Sequence, residues 1–169
     1  MAYGEFPGRA DGRMNEALGV QLSPDELLDL LPQQEPFRFV DEILTVDEDS
    51  ISARYTFRPD ANFYRGHFPG NPVTPGVILL ESVAQVGVVA LGIYLLALES
   101  GRDEIRKRIA LFADAEVEFS GVVRPGDEVE IHAKKVFYRR GKLRSEAEMR
   151  LTDGTLVCSA QISGMGVTL

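Results

Sequence analysis

Cysteine occurs once in this sequence, at Cys158, and histidine twice, at His67 and His132. A lone cysteine excludes an internal disulfide framework and a cysteine-based zinc site. Two histidines argue against a multi-histidine centre, so no metal is expected. Positive charge is also scarce. There are 18 Lys+Arg against 26 Asp+Glu, a formal net charge of -8. Nucleic-acid binding calls for a basic surface, so that class of function is not expected either. Repeats, low-complexity stretches and linkers are missing, and 169 residues suit one domain. Such a chain can bury roughly two-thirds of its unfolded surface, enough to fold without cross-links. A reducing, cytoplasmic setting fits.

Long apolar runs are limited to one. From Ser82 to Leu98 no residue is charged, and Glu81 and Glu99 flank the run. A membrane-spanning helix needs about 20 predominantly apolar residues. The run falls short of that, and Ser82 and Gln85 weaken it further. A helix buried on nearly all sides in a globular fold is expected, with no membrane span. Residues 1–22 read as a loose tail without the apolar core of a secretory signal, and 23–169 as a single domain.

Ser23-Pro24-Asp25-Glu26 carries a helix start, with Ser23 and Glu26 as a capping box, and Pro32 stops that helix. Strand-like runs follow near Phe39–Asp47 and Ile51–Phe57. Pro59 to Pro75 holds Pro69, Pro72, Gly66 and Gly70, which exclude a regular helix or central strand. It also holds Phe63, Tyr64, Phe68 and Val73, so it is expected to pack down. Gly76 opens the long helix, which ends near Ser100-Gly101.

The second half alternates with period two. Leu111, Ala113, Ala115, Val117 and Phe119 are placed on one face. Val129, Ile131, Ala133 and Phe137 continue the pattern, then Leu143, Ala147, Met149 and Leu151, then Leu156, Cys158, Ala160 and Ile162. Pro125-Gly126, Arg140-Gly141 and Asp153-Gly154 supply turns. One apolar helix among antiparallel strands implies an α+β architecture, a curved sheet wrapped around a central helix.

His132 shares its strand face with Glu128, Glu130 and Lys134 and reads as a solvated residue. His67 sits in the packed loop before the helix, as a structural hydrogen-bonding residue or as a base. Glu81 lies among Ile78, Leu79, Leu80 and Val83. It either points into a cavity, where it is a plausible proton donor, or is favoured by the helix dipole. Gln85, at i+4, can orient its carboxyl group. The Gly76 amide, at the helix start, has no intrahelical acceptor and can hold a carbonyl oxygen as charge builds on it. Base, acid and amide donor together suit proton abstraction next to a carbonyl.

Gly66-His67-Phe68-Pro69-Gly70-Asn71-Pro72-Val73-Thr74-Pro75-Gly76-Val77, with Leu80-Glu81 and Ala84-Gln85, closely resembles the 3-hydroxyacyl-acyl-carrier-protein dehydratases of the FabZ type. The likeness also takes in Leu31-Pro32, Pro36-Phe37, Val40-Asp41, Arg124-Pro125-Gly126-Asp127 and Arg139-Arg140-Gly141. The resemblance implies a hot-dog fold and a homodimer, in some members a trimer of dimers. His67 of one subunit and Glu81 of the other would share a site. It implies dehydration of (3R)-3-hydroxyacyl chains carried on the phosphopantetheine of acyl carrier protein, in fatty acid biosynthesis, without a cofactor. Phe68, Pro69 and Val73 would line an acyl tunnel.

The chain departs from the family at Gln33-Gln34-Glu35 and at Thr74, where Met is common. A related dehydratase/isomerase type carries Asp where Glu81 stands, so Glu81 favours dehydration alone. A hot-dog thioesterase and a non-catalytic acyl-binding member of a synthase assembly are the alternatives. Residues 134–144 gather Lys134, Lys135, Arg139, Arg140, Lys142 and Arg144 without an acid. Arg139, Arg140 and Lys142 are read either as a dock for the acidic carrier or as ordinary solvated surface.

Overall fold

The computed structural model describes residues 19–168. Residues 1–18, most of the expected tail, lie outside them. The last residues of that range are not loose. Val20 N donates to Ala97 O at 2.8 Å, and Leu22 is buried in the core. The packed chain therefore begins at least three residues before Ser23 (from Val20), because Val20 is tied to the long helix and both it and Leu22 find apolar cover in the core.

Helix α1 (Pro24–Asp29) has its capping box complete. The Glu26 amide donates to Ser23 Oγ, and the Ser23 amide donates to the Glu26 carboxylate. Six strands follow: β1 (Glu42–Val46), β2 (Ser50–Thr56), β3 (Arg108–Phe119), β4 (Glu128–Arg139), β5 (Lys142–Leu151) and β6 (Leu156–Thr168). All neighbouring pairs are antiparallel, in the order β1-β2-β4-β5-β6-β3. Phe39 and Val40, expected inside the first strand, precede it as a buried extended segment.

The long helix α2 (Gly76–Ser100) lies on the inner face of this sheet. One transverse row, Ile51–Ala133–Ala147–Ala160–Val117, crosses five strands. Its three alanines leave room for the helix. Over Gln85–Ala90 the helix widens into a π turn. There a Cβ on Gly87 would meet Ala133 and Ile162 side-chain carbons at 3.0 Å. Ser145 Oγ, itself buried, donates to the Gly87 carbonyl at 2.6 Å. The helix is long and apolar enough to cross a membrane by length and composition, but 61% of its most apolar window is buried inside the protein. Its cover is incomplete at the N-terminal end, where Val77 is 73% exposed.

Two bulges correct the alternation read from sequence. In β3 the register shifts between Phe112 and Asp114, which leaves Ala113 unpaired. The expected partner face of Ala115 and Val117 therefore continues to Phe112, and Leu111 turns to the outer face. In β4 the shift lies between Lys135 and Phe137. Phe137 pairs with Arg144 on the outer face instead of continuing the row of Ile131 and Ala133, and Tyr138 takes the inner position. An inserted residue flips every side chain beyond it, and a strict period of two cannot register that.

Candidate active site

His67 is held by backbone on both sides. The short 3-10 helix Asn62–Arg65 leads into its loop, and the His67 amide donates to Phe63 O at 2.9 Å. Val73 N donates to His67 O at 3.0 Å, closing the loop onto itself. The ring nitrogen Nδ1 lies 3.0 Å from Val73 O. A carbonyl oxygen can only accept, so Nδ1 carries the proton and Nε2 keeps a free lone pair. The Phe68 ring stacks on the imidazole at 4.1 Å and 25°. Past the loop, Thr74 N donates to Val123 O at 2.8 Å, and Tyr64 Oη and Thr74 Oγ1 are hydrogen-bonded at 2.5 Å. Burial pushes the Tyr64 phenol up, so it stays neutral.

Glu81 is half-buried on the second turn of α2. Gln85 Nε2 donates to Glu81 Oε1 at 2.9 Å and to Phe37 O at 2.8 Å. Gln85 Oε1 accepts from Phe39 N at 2.7 Å. Gln85 is fully buried, and these bonds fix its amide orientation. With Glu81 Oε1 occupied by a donor, Oε2 is the oxygen free to carry a proton. The segment that grips Gln85 is itself tied down. Asp41 accepts from Thr56 N at 2.9 Å and from the Arg58 guanidinium at 2.6 Å.

Gly76 sits where α2 begins, after Pro75. A Cβ there would lie 3.1 Å from the Phe119 ring, so glycine lets that ring close over the helix start. Several apolar side chains of this part of the chain are open to solvent. Phe68 is 54% exposed, Val122 and Phe119 are also exposed, and Val73 is half-buried. Two cavities lie elsewhere. One, of about 630 Å³, is a trough on the outer face of the sheet beside His132 and Glu148. The other, of about 50 Å³, lies between Gly92, Ile93 and Tyr138. Phe68, Pro69 and Val73 line neither.

Among the described residues no hydrogen bond or ion pair joins His67 to Glu81 within one chain. Gln85 and Glu81 are brought together as expected. His132 is exposed, with Nε2 2.7 Å from Glu130 Oε1. Cys158 is buried, and its burial pushes the thiol up to about 11. Arg139 lies opposite Lys142 in the β4–β5 hairpin. Arg139 and Arg140 are exposed and make no ion pair among the described residues. Lys142 lies 4.0 Å from Asp114. The sequence reading missed Phe119 as cover for Gly76, and it missed the Tyr64–Thr74 contact. Phe119 was expected to face the core, and no local pattern links positions 64 and 74.

A family model described as the FabA-like domain matches residues 31–161, which takes in both His67 and Glu81. The chain belongs to the FabA-like family. Within this family it is similar to the 3-hydroxyacyl-[acyl-carrier-protein] dehydratase FabZ of Chlamydia pneumoniae. The two are 38% identical over 155 residues, covering 89% of this chain and 94% of that protein. At that likeness it is a FabZ-type member. Solved structures agree on the hot-dog fold. A thioesterase from Haemophilus influenzae superposes with a TM-score of 0.64 at 18% identity, covering 90% of this chain and 96% of that one. A dehydratase heterocomplex from Xenorhabdus doucetiae gives 0.63 at 15% identity, covering 88% and 93%.

Proposed function

We propose that this FabA-like chain dehydrates (3R)-3-hydroxyacyl groups on acyl carrier protein to trans-2-enoyl groups, as a hydro-lyase of fatty acid biosynthesis. The observation that carries the reading is the pinned His67 imidazole. Its Nδ1 is spent on Val73 O and its Nε2 is left as a base. A thioester makes the C2 proton removable because negative charge spreads onto its oxygen. His67 Nε2 takes that proton. The Gly76 amide holds the thioester oxygen while charge builds there. The C2–H electron pair forms the C2=C3 bond, and the C3–O bond breaks. Glu81, in its acid form and held by Gln85, gives its proton from Oε2 to the leaving hydroxyl, which departs as water. Proton transfer from His67 back to Glu81 resets the site. No step calls for a cofactor.

The working unit of this reading is a homodimer, with His67 from one subunit facing Glu81 from the other. Two features support it. His67 and Glu81 make no direct bond within one chain, and β3 is an edge strand of 12 residues with exposed side chains on both faces. Among the described residues no strand pairs with its outer edge, and an edge of that length is a template for pairing with a second chain. Phe68, Pro69 and Val73 then border the acyl path, enclosed only when two chains meet. Arg139, Arg140 and Lys142 offer cations to an acidic carrier. The enzyme works in the cytoplasm.

The thioesterase alternative predicts a different product. Crotonyl thioester given to the purified protein is expected to lose enoyl absorbance reversibly with no release of free thiol. Thiol release at the rate of substrate loss would replace the dehydratase reading with hydrolysis.

A further inference from the structure

We infer that Tyr64 and Thr74 are positioning residues that act through their mutual hydrogen bond to fix the tautomer and aim of His67. The inference rests on the reading of His67 as the base. Two carbonyls grip His67. Phe63 O takes its amide, and Val73 O takes its ring. Tyr64 directly follows the first of these residues, and Thr74 directly follows the second. Their hydroxyls meet at 2.5 Å and both residues are 6% exposed. The pair therefore ties the two carbonyl-bearing residues together across the base of the loop. Thr74 is held from a third side, since its amide donates to Val123 O. The loop's other ties run along it or to its exposed tip: Val73 N donates to His67 O, Asn71 N to Phe68 O, and Arg124 to Asn71 Oδ1. Arg65, Gly66, Phe68, Pro69, Gly70 and Asn71 are all exposed.

The chemical consequence concerns one proton. If Val73 O drifts from Nδ1, the imidazole is free to place its proton on Nε2 instead. A ring in that tautomer has no lone pair where the substrate proton arrives. A tautomer change removes the base and no contact that holds the acyl chain, so the loss is expected chiefly in turnover. The alternative is that the two hydroxyls only satisfy one another in a buried place and do nothing for His67.

Four variants separate these cases: Tyr64→Phe, Thr74→Val, the two combined, and Thr74→Ser. Each is assayed for kcat and KM, and each is labelled for imidazole nitrogen NMR. His132→Gln is added for the NMR so that His67 is the one histidine observed. Tyr64→Phe and Thr74→Val are each expected to lower kcat about tenfold with KM within about twofold of the parent, since small misplacements of a catalytic group cost rate steeply. The combined variant is expected to be no worse than either single one, because one bond is lost in all three. Thr74→Ser keeps the hydroxyl and is expected to keep the rate. The NMR is expected to show a pure Nδ1–H tautomer in the parent and in Thr74→Ser, and a mixture in the others. A pure Nδ1–H tautomer in every variant would overturn the inference. So would a Thr74→Ser rate as low as that of Thr74→Val. A mixed tautomer with unchanged kcat would keep the clamp and remove His67 from the chemistry.

Discussion

Single residues in this protein are defined by what their polar atoms are spent on. Gln85 has its oxygen and its nitrogen committed inside the core, so it can set Glu81 without competing for substrate. Leaving such a buried amide unpaired costs about 1–3 kcal/mol, which is why the Phe37 and Phe39 backbone matters to the site. Cys158 shows the opposite case. It faces the core on β6 and takes part in no chemistry proposed for the protein. Its thiol ionises near 9.0 when exposed and at about 11 in the fold. The folded state keeps the proton that the unfolded chain loses, so stability falls as pH rises through that interval. Alkylation with iodoacetamide near pH 8 is expected to be negligible in the native protein and rapid in denaturant, with activity unaffected until unfolding. Fast native labelling with loss of activity would contradict this burial. The sequence singled out His67, Glu81 and Gln85, and it made the Gln85–Glu81 contact legible because an i, i+4 spacing on one helix face is local. Tyr64 and Thr74 were not legible as a pair, because loop closure and not periodicity brings them together.

At the level of elements, the helix and the strands followed from their patterns, and the bulges did not. The capping box of α1 and the stop at Gly101 are local chemistry, so sequence and structure agree there. Ala113 and Val136 are ordinary residues by type, and only pairing with β6 and β5 reveals them as extra. The bulge in β3 has a further effect. It turns Phe112 toward the helix side of an edge strand, where it remains 50% exposed. Exposed apolar side chains on β3 and at the start of α2 need a second surface. Phe112→Asp is expected to convert a dimer to a monomer in size-exclusion chromatography with light scattering, while thermal unfolding stays cooperative. Half-exposed positions tolerate such a change in the single chain. A variant that stays dimeric and active, or a parent chain that is monomeric, would contradict the role given to β3.

For the whole molecule, a net charge of -8 makes the placement of the few cations matter. The exposed cations Arg139 and Arg140 sit at one hairpin, beyond the reach of the carboxylates that neutralise Arg54 and Arg58 elsewhere. The fold was legible because one apolar helix had only a sheet to cover it. The incomplete cover over Val77 was not legible, since it depends on where the sheet ends. The proposed site built from two chains accounts for that gap, for the β3 edge and for the lack of a bond between His67 and Glu81 within one chain. The most direct measurement mixes two inactive variants. His67→Ala and Glu81→Gln homodimers are each expected to lose at least about a hundredfold in crotonyl thioester hydration. After subunit exchange, half the dimers carry one variant chain of each kind, and each of these has one intact site and one doubly altered site. The mixture is therefore expected to recover about a quarter of the parent rate. Full activity in either variant alone, or a mixture that stays inactive after exchange is verified, would contradict the account.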